Sequence, residues 1–201
     1  MGYANGLTVI ADEETGTLWD HITGEAFEGP LKGEILEAWP TFITTVEVES
    51  ASHPQTQLYS SSYRSPGMWV MQRLARLTRI GGKGWIPPSF YRSMATPIDS
   101  RLPKLTQGLG VLAEGKARYY PLDRLPRDSP TEDSWNGRTL RLEWQEGGTP
   151  LATWRDGGEL PMQFLSRWYG FSFSYPECTI YRDRSREPVA ADDGGASVPE
   201  P

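Results

Sequence analysis

The chain has 201 residues, 37% of them hydrophobic, and a formal net charge of −6. This length suits one domain with or without a tail, and the acidic balance argues against nonspecific nucleic-acid binding. No stretch approaches the roughly 18 apolar residues of a membrane-spanning helix, and the N-terminus carries neither the basic nor the apolar region of a signal peptide. The lone cysteine, Cys178, excludes an internal disulfide and a cysteine-based metal site.

The first fifty residues are predicted to form strands joined by turns. Residues 7–12 read as a strand, Glu14-Thr15-Gly16 as a turn and residues 17–19 as the start of a second strand, which together predict a hairpin. Residues 34–39 and 42–49 are also strand-like, the second because polar and apolar residues alternate along it.

One main amphipathic helix is predicted over residues 66–80. Ser65 is a suitable N-cap and Pro66 suits the first helical position. Apolar residues then recur at three- and four-residue steps until Gly81-Gly82, which can end the helix.

The second half is predicted to be mostly strands. Three are expected over residues 108–122, 138–145 and 150–155. Residues 162–168 are expected to form a short helix, and residues 170–181, where aromatic residues alternate, a strand.

These elements predict an α+β fold, mainly antiparallel β with one main amphipathic helix. Gly 21 and Pro 17 are high counts for a helical bundle and are typical of short strands joined by turns. We expect a single domain over residues 1–181 and a disordered polar tail over residues 182–201, where Pro, Gly, Asp and Ala replace the apolar pattern.

Two eight-residue segments resemble each other. Residues 52–59 and 174–181 both read Ser, aromatic ring, Pro, three residues, aliphatic, Tyr. Each Pro is expected to turn the chain before a strand that ends in Tyr. Two equivalent structural elements would explain the similarity, and so would chance.

Charge is distributed unevenly. Residues 1–50 hold ten acids and one base, whereas residues 64–104 hold eight bases and one acid. Arg73, Arg76 and Arg79 step by three and so share a helix face. This face of residues 66–80 suits docking to an acidic partner or an anionic membrane surface, and it equally suits a core-packed helix with a solvated basic side.

Three consecutive segments resemble the DUF3179 domain family. They read Asp12-Glu13-Glu14-Thr15-Gly16-Thr17-Leu18-Trp19, then Thr23-Gly24-Glu25-Ala26, then Gly29-Pro30-Leu31-Lys32-Gly33. Looser resemblance continues through His53-Pro54, residues 99–122 and residues 168–181. The family has no established activity to transfer.

The resemblance has one departure. Family members usually carry a Cys-Pro-Leu-Cys-like element upstream of the first segment, and the chain begins after that position. Either this member lacks the element or its start is truncated, so any metal or thiol role of that element is in doubt here. Family members often carry export signals, and the chain as given shows none.

Candidate site residues lie mostly in the first segments. Asp12, Thr15, Trp19 and Glu25 are candidates for lining a polar ligand-binding groove, although a turn role for Thr15 and a core role for Trp19 are the simpler interpretation.

His21 and His53 are the metal candidates. His21 follows Trp19-Asp20 in an expected loop rich in carboxylates, and imidazole with carboxylates can bind a metal or act as a base. The alternative is a surface histidine in an acidic turn, with His53 structural before Pro54.

No strong catalytic motif is present. The chain has no Gly-x-Ser-x-Gly elbow, no complete phosphate loop and no dinucleotide fingerprint, and Gly81-Gly82-Lys83-Gly84 is only a superficial phosphate signal. The leading hypothesis is therefore a noncatalytic binding or accessory domain of unknown cofactor and partner. One alternative is a metal-binding or redox-accessory enzyme that uses both histidines and carboxylates. Another is a peripheral subunit that docks through the basic helix.

Overall fold

The computed structural model describes residues 2–4, 7–41, 43–57, 59, 67, 69–70, 73, 92–94 and 97–182. The strands of this part of the chain are β1 (Gly2–Ala4), β2 (Leu7–Ala11), β3 (Leu18–Asp20), β4 (Ala26–Glu28), β5 (Gln107–Ala113), β6 (Lys116–Pro121), β7 (Thr131–Trp135), β8 (Arg138–Trp144), β9 (Pro150–Trp154), β10 (Met162–Arg167) and β11 (Thr179–Ile180). The α-helices with defined bounds are α1 (Val46–Ser52) and α2 (Trp168–Ser174), and a 3-10 turn covers Leu122–Arg124. The mainly antiparallel α+β class is confirmed.

Strands β1 to β4 form the N-terminal sheet, in which neighbours are antiparallel and follow chain order. The predicted hairpin is confirmed as β2 and β3, where Ile10 pairs with Trp19. Trp19 is 6% exposed and Ala26 is fully buried, so the inner face of this sheet belongs to the core.

The two turns of this sheet repeat one pattern, Asp-x-x-Thr-Gly, at residues 12–16 and 20–24. In each turn the Gly N–H donates to the Asp carbonyl, at 2.9 Å and 2.8 Å, and the Asp Oδ1 accepts the N–H two residues on, at 2.8 Å and 2.7 Å. In each turn the Thr Oγ1 also accepts the N–H two residues later, at 3.2 Å. Gly16 and Gly24 both have a φ of +72°, a left-handed conformation that favours glycine. The Asp-x-x-Thr-Gly pattern therefore forms the same turn twice, once before β3 and once before β4.

Strands β10, β5, β6 and β11 form the central sheet in that order, with β11 parallel to β6 and the other pairs antiparallel. The prediction of one strand over residues 108–122 is wrong. Glu114 and Gly115 have φ of 51° and 71°, so the chain turns back between Ala113 and Lys116 and makes two strands.

Strands β7, β8 and β9 form a three-stranded antiparallel sheet. The predictions of residues 138–145 and 150–155 as strands are confirmed as β8 and β9, whereas β7 was not predicted. Asn136 and Gly137, with φ of 49° and 85°, join β7 to β8. An Asn-Gly pair between β-prone residues is a strong hairpin signal that would have located β7.

The central sheet has a core on each face because side chains alternate along a strand. On one face it packs against the three-stranded sheet, and the buried residues there are Leu109, Val111, Tyr120, Leu125, Trp135, Leu140, Leu142, Ala152 and Trp154. On the other face α2 and the loop before β11 cover it, through Leu102, Tyr119, Trp168, Phe171 and Cys178. A Cβ on Gly110 would lie 2.1 Å from the Phe171 ring, so a glycine lets that ring rest on β5.

Gln163 connects the central sheet to the three-stranded sheet. Its side chain is fully buried. Its Oε1 accepts the Ala152 N–H at 2.8 Å, and its Nε2 donates to the Ala152 carbonyl at 2.8 Å. The side-chain amide therefore pairs with the free edge of β9 as a neighbouring strand would. The Gln163 carbonyl accepts the Thr41 N–H at 2.8 Å, which attaches the segment after the N-terminal sheet.

Several predicted elements are wrong. Residues 34–39 make no strand beyond an isolated bridge from Ile35 to Glu25, and residues 42–49 contain the first half of α1. Thr45 caps that helix by accepting the Val48 N–H, so the alternation from Thr45 onward marked a cap and not a strand.

Near the C-terminus, the structure has a strand where a helix is predicted and a helix where a strand is predicted. The predicted helix over residues 162–168 is β10, and the first part of the predicted strand over residues 170–181 belongs to α2. The alternating aromatic residues belong to a short helix that packs against a sheet. Seven residues are too few to distinguish the helical period from the strand period.

The two similar segments share a structure where both are described. In each, a seven-residue helix ends at Ser, and the next residue, His53 or Tyr175, is the C-cap with φ −130°. A turn follows in which the residue three positions on donates to the cap carbonyl, at 2.9 Å and 3.0 Å. The second segment then forms β11, which ends one residue before Tyr181. The strand expected at the same place in the first segment is not formed at Thr56, Gln57 or Tyr59, and residue 58 lies outside the described part.

The predicted helix over residues 66–80 lies mostly outside the described residues, and those described within it, Gly67, Trp69, Val70 and Arg73, are helical. The predicted tail lies outside as well, from residue 183 onward. Among the described helices, none combines the length and apolar character needed to cross a membrane.

Candidate functional site

A groove of about 470 Å³ lies between the N-terminal sheet, β10 and α2. We call it the His21 groove. It is lined by Leu7, Ile10, Asp20, His21, Ile22, Gly24, Leu36, Glu37, Ala38, Trp39, Thr41, Met162, Phe164, Leu165, Ser166, Arg167, Tyr169 and Gly170. Most of these side chains are apolar, and a few polar groups stand among them, which is the usual composition of a ligand-binding pocket.

His21 is held at the groove by the second Asp-x-x-Thr-Gly turn. Asp20 fixes this turn through its bonds to the Ile22 and Thr23 N–H groups, at 2.7 Å and 3.2 Å. The His21 Nδ1 lies 2.9 Å from the Thr8 carbonyl oxygen, which can only accept a hydrogen bond. Nδ1 therefore carries the proton, and in the neutral ring Nε2 keeps a lone pair for a ligand.

The segment after the N-terminal sheet forms an apolar border on the groove. Its exposed apolar side chains are Ile35, Leu36, Trp39, Ile43 and Val46, which together we call the apolar border; Ile35 is 71% exposed and Trp39 is 72% exposed. The Leu36 N–H donates to the Gly24 carbonyl at 2.9 Å, and Thr149 Oγ1 donates to the Ile43 carbonyl at 2.6 Å. The border is thus tied to the fold at both ends while its apolar side chains remain in water.

Two residues on the β10–α2 side supply further polar atoms. The Ser166 Oγ is buried and has no hydrogen-bond partner among the described residues. Burial raises the pKa of the Tyr169 phenol, which keeps it a neutral hydrogen-bonding group, while nearby Arg167 acts in the opposite direction. The groove can therefore donate and accept hydrogen bonds along an apolar floor.

The four predicted ligand-binding residues are not gathered in one place. Asp12 and Thr15 meet in the first turn, where the Thr15 hydroxyl lies 2.6 Å from the Asp12 Oδ2. The hydrogen bond from the Thr15 hydroxyl lowers the pKa of the Asp12 carboxyl, and the bond from the Glu14 N–H lowers it further. Trp19 lies in the core, and Glu25 is exposed at a second cavity, lined also by Phe27 and Phe173. The ligand role of these residues stays a prediction.

The two predicted metal-binding histidines have separate partners. His53 follows α1, and its Nδ1 lies 3.0 Å from Glu49 Oε1, one helical turn earlier. His21 is held by the Thr8 carbonyl. In the part of the chain that the structure describes, no three His, Cys, Asp or Glu side chains are grouped to hold a metal ion.

Of the predicted basic face, only Arg73 belongs to the described residues; Arg76 and Arg79 lie outside them. The Arg73 guanidinium carbon is 5.3 Å from the centre of the Trp69 ring, and Trp69 is 61% exposed. This contact is a cation–π pair on an exposed helical surface.

Cys178 is buried, and burial raises the pKa of its thiol against the opposing influence of Arg101. Because the thiolate is the reactive form, this environment disfavours nucleophilic chemistry.

Neither the residues of the apolar border nor Arg167 are among the site residues that the sequence predicts. The predicted strand over residues 34–39 includes Ile35, Leu36 and Trp39. In a strand, alternate side chains would be buried on one face of a sheet. Pro40, which cannot donate to a ladder, lies just beyond these residues and so gives no signal against a strand within them.

The structure thus defines an α+β domain with a sheet-lined apolar groove. A family model described as a protein of unknown function (DUF3179) matches residues 3–164. The chain belongs to the DUF3179 family. No curated protein and no solved structure matches it.

Proposed function

We propose that this DUF3179 protein is a noncatalytic binding domain whose His21 groove and apolar border receive a basic, partly apolar segment of a partner protein. The observation that carries the proposal is the exposure of Trp39, Ile35 and Leu36 beside a groove that they help to line or flank. Large apolar side chains collected on one surface segment are characteristic of protein interaction sites, and Trp is frequent among residues that dominate binding energy.

Charge around the border selects a basic partner. Glu34, Glu37 and Glu47 are exposed along the same segment, and Asp20 lines the groove. Residues 1–50 contain a single base, Lys32, against ten acids. A partner with Lys or Arg beside its apolar side chains would meet opposite charge along the apolar border. Such charge complementarity raises association rates and disfavours acidic competitors.

The polar groups of the groove suit recognition of backbone. The Nε2 lone pair of neutral His21 can accept an N–H, and the unpartnered Ser166 hydroxyl and Arg167 can donate to a carbonyl. A peptide segment offers both groups at short intervals. These contacts bind and orient a ligand without requiring any reaction.

The proposal is tested with three labelled peptides of equal length, measured by fluorescence anisotropy. One carries Trp and Leu flanked by Lys, the second replaces Lys by Glu, and the third keeps Lys but replaces the apolar residues by Ser. We expect only the first to bind saturably, with an affinity that falls as salt is raised. Equal binding of the first and third peptides would show plain charge attraction and contradict the groove. Equal binding of the first and second peptides would contradict the role of the acidic residues along the apolar border.

A second candidate function, metal binding, has one observation in its favour. Metal-ligating histidines commonly donate their other ring N–H to a carbonyl, and His21 has this arrangement with Thr8. The test is the metal content of untagged protein and of His21→Ala and His53→Ala. Stoichiometric metal that is lost in either variant would support a metal site, whereas no bound metal and no uptake of zinc, copper or iron would rule against it.

A further inference from the structure

A separate cavity has a volume of about 540 Å³. Its walls come from the start of β6, the turn between β7 and β8, and the loop from α2 to β11. We call it the β6 cavity. All of its lining residues belong to the described part of the chain.

Lys116 gives the β6 cavity a positive charge. Its Nζ donates to the Asn136 side-chain oxygen at 2.6 Å, and the Asn136 amide in turn donates to Glu114 at 2.7 Å. The ammonium group thus has a neutral direct partner, and no ion pair of Lys116 occurs among the described residues. An ammonium has three donors, so two remain for a ligand.

Arg118 adds a second, firmly held cation. Its Nη1 is bonded to the Asp133 carboxylate and its Nε donates to Thr179 Oγ1 at 3.0 Å, while its guanidinium carbon stands 4.9 Å from the centre of the Trp135 ring. Nη1 also donates to the Ser134 carbonyl at 3.1 Å, whereas the Nη2 group donates no hydrogen bond within the described structure, so the two Nη2 hydrogens are the ones available to a ligand.

Two further residues of the cavity wall have polar atoms without hydrogen-bond partners among the described residues. Trp135 is 2% exposed, and its Nε1 is buried with no acceptor; the Ser174 Oγ is buried and unpaired as well. Buried polar groups are nearly always hydrogen-bonded, so two such atoms on one cavity wall call for an explanation. An acceptor-rich molecule in the cavity would supply it.

We propose that the β6 cavity binds a small planar carboxylate. The wall offers donors on Lys116, Arg118, Trp135 and Ser174 against one carboxylate, that of Glu177. A carboxylate presents two acceptor oxygens, which can accept from the Arg118 Nη2 group and from the Lys116 ammonium. The Trp135 and Tyr175 rings provide apolar wall for a flat ligand body.

The test uses benzoate as the probe and follows the indole N–H signals of protein labelled with ¹⁵N. Benzamide is the neutral comparison of the same shape, and inorganic phosphate is the comparison for a nonplanar anion. The Trp135 signal is assigned from its contacts to neighbouring core residues and checked with Trp135→Phe. Lys116→Met removes the exposed cation, and Lys32→Met is the control at an exposed lysine in the turn after β4.

We expect benzoate to shift the Trp135 N–H signal saturably, and Lys116→Met to weaken binding about tenfold or more, since a charge-assisted hydrogen bond is lost. Lys32→Met should bind as the unchanged protein does, and benzamide should bind more weakly. The proposal is overturned if benzoate leaves the Trp135 signal unmoved at concentrations well above millimolar. It is also overturned if benzamide or phosphate binds as tightly as benzoate.

Discussion

At the scale of single residues, the two Asp-x-x-Thr-Gly turns are the clearest link from sequence to structure. The Asp side chain closes each turn, the Thr hydroxyl accepts the N–H of the residue before the next strand, and glycine adopts φ +72°. Asp12 and Thr15 therefore have structural partners whether or not they contact a ligand.

Gly16 and Gly24 allow the cost of the left-handed conformation to be separated from a steric clash. A Cβ on Gly16 would meet nothing within 4 Å, whereas a Cβ on Gly24 would lie 3.3 Å from the Leu36 carbonyl oxygen. Gly16→Ala should lower the free energy of unfolding by about 1 kcal/mol through backbone strain alone. Gly24→Ala should cost more and displace the apolar border. Urea denaturation of both variants measures the difference, and equal losses would show that Leu36 moves freely.

At the scale of elements, the Gln163 side chain makes the hydrogen bonds to β9 that a strand of the central sheet would otherwise make. Gln163→Leu should lower the free energy of unfolding by about 3 kcal/mol, because it leaves the buried Ala152 N–H and carbonyl without partners. Gln145→Leu is the matched control, because Gln145 is exposed and its side chain makes, among the described residues, a single 3.3 Å bond to the Glu143 carbonyl. Thermal or urea unfolding measures both, and a similar small loss in each would contradict the connecting role of Gln163.

How far the sequence predicts the fold depends on the kind of signal each element carries. The β2–β3 hairpin was predictable because a turn glycine and alternating apolar residues agree there. The helices α1 and α2 were misread because each has only seven residues, and one short window fits both periods. The His21 groove was predictable only through His21 itself. Its other walls come from the segment after β4 and from β10 and α2. The last two are more than a hundred residues away along the chain, and sequence patterns do not report such packing.

At the scale of the whole molecule, one ion pair fastens the α2–β11 loop to the chain that enters β5. Arg101 Nη2 contacts Asp99 at 2.7 Å, and the same guanidinium donates to the Cys178 carbonyl at 2.7 Å and the Pro176 carbonyl at 2.9 Å. The hydrogen bonds from Arg101 lower the pKa of Asp99 below its ordinary 3.8.

This pair predicts a component of acid sensitivity. Because the pKa of Asp99 is lower in the folded than in the unfolded state, its contribution is full above pH 3.8 and is lost as the pH falls through the folded value. Asp99→Asn should cost about 1 kcal/mol at pH 7, a modest figure because the pair is partly exposed. The cost should shrink on acidification below pH 3.8.

Stability measured from pH 7 to pH 2.5 checks this prediction, with Asp128→Asn as the control at an exposed carboxylate that forms no ion pair within the described structure. A cost for Asp99→Asn that stays constant across this range would contradict the ionic origin of the effect.

The measurement that tests the proposed function most directly is the affinity of the Lys-flanked apolar peptide for Trp39→Ala and Trp69→Ala. Both tryptophans are exposed, but only Trp39 lines the His21 groove. We predict that Trp39→Ala weakens binding at least about tenfold, as expected when a central aromatic side chain is removed, while Trp69→Ala changes it less than about twofold. Equal affinities in the two variants, or a loss confined to Trp69→Ala, would contradict the groove as the binding surface.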